Sequence, residues 1–323
     1  MIAVIGESLI DFIGVESPSR GRMFESFVGG CGLNTATAIG RLGGAVTFFG
    51  GISSDMFGRR IVSHLVTNQV LFDPDLCNMP APTTLGFASL DEHGGASYAF
   101  YCRGTAAMTL STEQLSMSLS LNTDIRIVHI GSLSLVVQPV CDAILDSVEF
   151  LNPHPVVFFD PNVRPAVIDD FPAYRARFLK IAKTADIIKL SDEDLALMYD
   201  DMAVDVAVAK LRESSGAHVV LTRGKSGAAW ILPDGTWIDC PAFETTVVDT
   251  VGAGDTFSGA LLHFLQERGL LGSDGTAPEL MPISPDIASE ALRFASAAAS
   301  INCSRPGCDP PTADELSDRI DTL

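Results

Sequence analysis

The chain has 323 residues, 47% of them hydrophobic, with 40 acidic against 21 basic side chains and a formal charge of −19. That length and apolar content can fill the core of one large α/β domain, while the acidic balance, with no Lys/Arg-rich run to track phosphates, excludes nucleic acid as the expected partner. Seven cysteines, an odd number with no C-x-x-C pair, give neither a disulfide framework nor a zinc knuckle and point to a reducing compartment, the cytoplasm.

The first segment, Met1 to Glu7, is apolar but has no basic flank and meets Glu7 and Asp11 too soon for a signal peptide, so it reads as a buried strand. Short apolar runs follow at Val46–Phe49, Ile125–Ile130, Val156–Phe159, Ile187–Leu190 and Val219–Thr222. With Ile2–Ile5 they read as strands buried on both faces. Segments at about 35–42, 57–66, 138–151, 173–185 and 204–214 carry helical spacing between them, and the alternation predicts a parallel α/β sheet. One region breaks the rhythm. Thr83–Leu90 and Ala96–Tyr101, joined by Asp91-Glu92-His93-Gly94-Gly95, read as a hairpin. Together with Phe12–Val15 and Phe24–Val28 it predicts a small projecting sheet over about 12–28 and 83–103. Such a sheet serves as a lid that excludes water, as an oligomer contact or as an edge decoration, and the lid is favoured. Near the C-terminus, Phe257, Ala260, Leu261, Phe264 and Leu265 form the buried stripe of a helix ending near Gly269. An exposed connection, Gly272–Pro285, then precedes a helix over Ile287–Ile301. No run of 18 apolar residues occurs, so no membrane span is expected.

The densest chemical signal is Asp249-Thr250-Val251-Gly252-Ala253-Gly254-Asp255-Thr256-Phe257. Gly252 and Gly254 stand where a helix begins, and unpaired N–H groups with the positive dipole end can hold a phosphate there without a basic side chain. Asp255 beside such a phosphate would be repelled by roughly 4 kcal/mol at 4 Å and an effective dielectric of 20. Two readings fit it: a general base that takes the proton of an attacking hydroxyl, or an acidic residue that merely favours a first helical turn. Gly29, Gly30 and Asn34 lie in a second glycine-rich helix entry, which brings bare backbone near a small polar ligand or is only a flexible start. Asp11 and Asp160 fall at strand ends, where ligands of parallel α/β sheets bind, and read as hydroxyl binders or loop caps.

Other patterns fail. Gly224-Lys225-Ser226 is not a Walker A loop, because Val219 stands where that motif needs glycine. Gly30 and Gly32 lack the third glycine of a dinucleotide fingerprint, which disfavours a nicotinamide enzyme. Histidines 64, 93, 129, 154, 218 and 263 show no metal-ligand spacing and are read as structural or solvent-facing.

Taken together, Gly29–Ala36 and Asp249–Phe257 resemble the two signatures of the ribokinase-like (PfkB) carbohydrate kinases, the second, D-T-x-G-A-G-D-x-F, in full. The resemblance runs nearly end to end and implies a doubly wound, mostly parallel α/β domain with a small β-sheet lid. It implies Asp255 as base, an anion hole at Gly252, Ala253 and Gly254, and ATP with Mg²⁺ as cofactors. By position, Asp11, Gly29, Gly30, Asn34, Arg103, Asp160 and Arg164 would meet the sugar, and Thr222, Gly224 and Gly227 would lie along the nucleotide. Asn302 and Gly307 would border the adenine or a monovalent cation such as K⁺, bound in part by Asp249. Where the family often has N-x-x-E in its Mg²⁺ network, this chain has Ser191-Asp192-Glu193-Asp194. Asp194 would then act through water, or Glu193 would substitute. Segments 6–12, 101–108 and 160–164 are similar to the fructokinase branch, so the resemblance implies phosphorylation of fructose. A 2-keto-3-deoxygluconate kinase is the alternative, because Arg103 or Arg164 could pair a carboxylate. A sugar or nucleotide sensor without catalysis is the competing class. The projecting sheet also suggests a homodimer.

Overall fold

The computed structural model describes residues 1–17, 21–90, 96–272 and 275–321. The turn expected at Asp91–Gly95, including His93, lies outside them. In chain order the strands are β1 (Ile2–Ile5), β2 (Leu9–Ser17), β3 (Gly21–Gly29), β4 (Val46–Phe49), β5 (Leu71–Phe72), β6 (Thr84–Leu90), β7 (Ala96–Tyr101), β8 (Ile127–Gly131), β9 (Val156–Asp160), β10 (Ile187–Ser191), β11 (His218–Thr222), β12 (Ala228–Ile231) and β13 (Trp237–Cys240). The helices are α1 (Cys31–Arg41), α2 (Met56–Thr67), α3 (Thr112–Ser120), α4 (Val140–Glu149), α5 (Phe171–Ala182), α6 (Asp192–Met198), α7 (Val204–Ser215), α8 (Ala253–Glu267), α9 (Pro285–Cys303) and α10 (Ala313–Asp321).

The larger sheet has nine strands in the order β13-β12-β11-β10-β9-β8-β1-β4-β5. It is parallel from β11 to β5, and at the other edge β12 pairs antiparallel with both β11 and β13. Alternate side chains enter two separate cores. Ile5, Val128, Ile130, Val157 and Phe159 join Leu119, Ile144 and Phe178 on one face, while Val4, Ile127, Val156 and Phe158 join Leu33, Ile61 and Leu261 on the other. Helices therefore cover both faces, which is why these strands are apolar throughout rather than alternating.

The order of strands reverses direction beside β1, since the chain first moves outward to β4 and β5 and then returns to β8 and continues the other way. Such a switch point leaves a crevice beyond the carboxyl ends of the strands. From the end of β1 the chain passes through Gly6-Glu7-Ser8 into a second sheet of four strands, ordered β3-β2-β6-β7. The early strands are longer than the sequence suggests, nine residues each, because β2 pairs with β3 along its whole length. Phe12 stacks on Phe87 with ring centroids 4.9 Å apart, which ties β2 to β6.

Helices α3, α6 and α10 and strand β13 were not legible in the sequence. α10 buries only Leu316, and α6 is a seven-residue helix held at its start by a capping box of Ser191 and Asp194. Neither presents the apolar stripe that periodicity detects. Among the described residues, no helix is long and apolar enough to cross a membrane.

Candidate active site

The turn Thr250–Gly252 delivers the chain into α8. Gly252 has φ +73°, a left-handed conformation, and a Cβ there would lie 2.2 Å from Cys308 Sγ, so both backbone sign and space select glycine. The Ala253 amide donates to the Thr250 carbonyl at 3.2 Å. The Gly254 and Asp255 amides, second and third in the helix, have no intrahelical acceptor available to them. Asp255 is 8% exposed. Its Oδ2 accepts from Asn34 Nδ2 at 2.8 Å and its Oδ1 from Asn162 Nδ2 at 3.3 Å. Burial raises its proton affinity, the Asn34 bond opposes the rise and the nearby Asp160 adds to it. The result is a carboxylate fixed in orientation by two amides, with no cation bonded to it among the described residues.

Asp160, at the end of β9, is fully buried and differently partnered. Its Oδ2 accepts from Lys189 Nζ at 2.9 Å and from Ser258 Oγ at 2.8 Å. Burial works against the charge on Lys189, but the attraction and hydrogen bond of Asp160 outweigh it and hold the amine protonated. The same amine reaches the helix entry, where a Cβ on Gly254 would lie 3.2 Å from Nζ. Lys189 was missed in the sequence, although a lone cation in the apolar run Ile187–Leu190 is a detectable signal.

The second glycine-rich entry also converges here. Gly30 precedes α1, and its carbonyl accepts from the Asn34 amide at 2.8 Å. Glu7, 1% exposed, fixes this entry from below: it accepts from the Cys31 amide at 3.3 Å and from the amide and hydroxyl of Ser134. Asp11 extends from β2 between two glycines, since a Cβ on Gly29 or Gly86 would lie 2.4 or 2.5 Å from its carboxylate oxygens. Burial, with the charge of Asp255, pushes the Asp11 carboxyl up to about 6, and Arg164 pulls it back. Asp11, Asn34, Asp160, Arg164 and Asp255 thus share one crevice between the two sheets. Arg103 stands at its outer rim, paired with Asp169, beside a cavity of about 530 Å³ lined in part by Leu85, Tyr101, Thr105 and Val167.

Farther along the sheet, Thr222 ends β11 in register with Ser191 of β10. Gly224 opens the following turn, and Gly227 closes it where a Cβ would lie 2.1 Å from the Cys240 carbonyl. Asp249 accepts from the Val251 amide at 3.0 Å and the Gly307 amide at 2.9 Å, while Asn302 donates to the Val251 carbonyl at 2.8 Å. These bonds join the loop before α8 to the last turn of α9 and the loop that follows it. Both oxygens of Asp194 are taken by backbone, from Val163 at 2.7 Å and Ser191 at 3.0 Å. It braces the segment carrying Arg164, and direct metal ligation does not fit it. Glu193 beside it is exposed.

The profile of the pfkB family carbohydrate kinase matches residues 1–315. A fructokinase of Rhizobium leguminosarum bv. trifolii is 36% identical over 274 residues, 84% of this chain and 81% of its own. Fructokinase-1 of Oryza sativa subsp. japonica is 30% identical, with 98% and 95% covered. A fructokinase crystal structure from Xylella fastidiosa with bound ATP superposes with a TM-score of 0.86 at 27% identity, covering 99% of this chain and 98% of that one.

Proposed function

The chain belongs to the pfkB family of carbohydrate kinases, and from that premise we propose that it transfers the γ-phosphate of ATP to the primary O6 hydroxyl of fructose. The observation that carries the mechanism is Asp255 at the N-terminus of α8, aimed by Asn34 and Asn162. Its raised proton affinity suits a group that must accept a proton near neutral pH. As the hydroxyl oxygen bonds to the γ-phosphorus and the bond to the ADP oxygen breaks, the hydroxyl proton passes to Asp255. Charge on the transferring group is met by the amides entering α8 and by Lys189, which is why the glycines are needed beside it. Mg²⁺ on the triphosphate supplies further charge neutralisation. In this reading it is reached through water from Asp194 or Glu193, in keeping with the engaged oxygens of Asp194.

Asp11, Gly29, Gly30, Asn34, Asp160, Arg164 and, at the rim, Arg103 make the sugar side. Thr222, Gly224, Gly227 and Asn302 make the nucleotide side, with a K⁺ ion held beside Asp249. The four-stranded sheet acts as the lid of a single kinase domain. Exposed Phe24 and Tyr101, at 47% and 65%, support a homodimer through that sheet, an assembly that a solution mass of one 34.3 kDa chain would remove. Seven free cysteines fit a cytoplasmic enzyme.

The test is ADP release with MgATP against fructose, 2-keto-3-deoxygluconate, ribose, glucose and adenosine, with and without K⁺, and with Asp255→Asn in parallel. Fructose-dependent turnover that falls by about 10²–10⁴ in the variant is expected of a lost base. Preference for the sugar acid would reassign the substrate, and near-normal turnover of the variant would remove Asp255 as the base.

A further inference from the structure

Beneath the crevice, three buried donors from three elements converge. They are Cys31 at the start of α1, His129 on β8 and Asp160 at the end of β9. One ligand atom of each lies within 4.8 Å of the other two. A second observation is independent of that spacing. His129 is 1% exposed and neither of its ring nitrogens has a hydrogen-bond partner among the described residues; Asp160 Oδ1, in a residue 0% exposed, has none either. Buried polar atoms are almost always satisfied, so unpartnered atoms on two of the three clustered side chains call for an occupant. Burial keeps the imidazole neutral, its pKa lowered to about 4, so a lone pair is available to a ligand.

The donor set decides the chemistry. Mg²⁺ and Ca²⁺ take oxygen shells, whereas one sulfur, one imidazole nitrogen and one carboxylate oxygen suit a borderline-soft ion. We propose that Cys31, His129 and Asp160 form a binding site for a divalent cation of the Zn²⁺ class, distinct from the Mg²⁺ of the nucleotide, and that its occupancy arrests the kinase. On binding, the Cys31 S–H bond breaks, a sulfur–metal bond forms and the proton leaves to solvent. No electron changes hands. His129 and Asp160 Oδ1 donate lone pairs, and Asp160 keeps its Oδ2 bonds to Lys189 and Ser258. Loss of the Cys31 proton offsets one of the ion's two charges, and because Asp160 already pairs Lys189 the occupied site gains one net positive charge. Cys31 also lies against Asp255 and Asn162. A cation there lowers the basicity of Asp255 and pulls at the amide that orients it. The arrest rests on the kinase reading, whereas the binding does not.

The two are separated by a measurement without substrate. Metal-stripped protein titrated with Co²⁺ should bind one ion per chain with a thiolate-to-metal charge-transfer band in the near ultraviolet, and Zn²⁺ should bleach it. Cys31→Ser should abolish the band. His129→Asn, which keeps Cys31, should weaken binding by more than about tenfold, since loss of even an outer partner of a metal ligand has that effect. Absence of the band in the unaltered protein, or a band unchanged in either variant, overturns the site. In a parallel assay with excess Mg²⁺, Zn²⁺ should inhibit ADP release by the unaltered protein and not by His129→Asn. Stoichiometric binding without inhibition would overturn the arrest and leave the site standing.

Discussion

Asp160 and Asp255 lie buried under the same crevice, yet one bonds a cation and the other two side-chain amides, with the Cys31 thiol against it. Asp160 pairs Lys189 through one oxygen, whereas Asp255 is held by neutral donors and remains a usable base. Asp11 adds a third carboxylate, on the opposite sheet, whose ionised form is disfavoured. Its proton affinity is raised from 3.8 to about 6, first by burial and then by Asp255. The neutral form is therefore preferred in the fold. Its contribution to stability is complete below pH 3.8 and lost as pH rises through about 6. At pH 7.5 the ionised group costs on the order of 3 kcal/mol. Asp11→Asn should accordingly gain stability over the unaltered protein in urea denaturation at pH 7.5 and show little difference at pH 4, while its KM for the sugar rises at both. A variant less stable at pH 7.5 would mean that Asp11 holds the fold. Asp11, Asn34 and Asp255 could be picked out of the chain because glycine-rich helix entries and strand ends announce themselves locally. The bonds that define their chemistry could not, since Asn34 meets Asp255 across 221 residues and Lys189 meets Asp160 across 29. Asn162 and Glu7 carry no local sign of their partners at all.

Between elements, the contact that matters most is α1 against α8. Each helix begins with one of the two glycine-rich entries, and their axes approach at Gly259, where a Cβ would lie 2.6 Å from Ala38 Cβ and 2.7 Å from the Thr35 carbonyl. Neither neighbour is a flexible side-chain end. The crossing fixes Asn34 relative to Asp255, one turn nearer the crevice on each helix. Gly259→Ala should therefore force the helices apart, costing roughly 1–3 kcal/mol of stability. It should also lower kcat more than a similarly destabilising change far from the crossing. Thermal melting together with kcat measured well below the melting range checks this, and a variant that melts early with unchanged kcat would show that the pair of helices does not set the base. The helical stripe of α8 was plain in the spacing of Phe257, Leu261 and Leu265, whereas its partner could not be read, because a glycine in a helix says only that something comes close.

At the scale of the molecule, the crevice is made by two sheets between which the chain crosses repeatedly, first at Gly6-Glu7-Ser8 between β1 and β2 and again after β3, β5 and β7. The large sheet carries Asp160 and Lys189, helix α8 carries Asp255, and the small sheet carries Asp11. In the proposed mode a sugar bonded to both would tie the sheets together, adding to the anchors the small sheet already has, Leu9 and Ile10 in the main cores and Phe12 against Phe57 of α2. Ligand that binds only the folded protein adds about 2.7 kcal/mol at a hundred times its Kd, and amides in the less stable unit should register it most. Hydrogen exchange with fructose and a non-hydrolysable ATP analogue should then slow across 9–17 and 84–90 as well as across 253–265, whereas the nucleotide analogue alone should protect 253–265 and leave 9–17 little changed. Protection confined to 253–265 with both ligands present would leave the small sheet without a part in closing the site. Its bare outer face would then be better explained as a surface for a second copy of the chain.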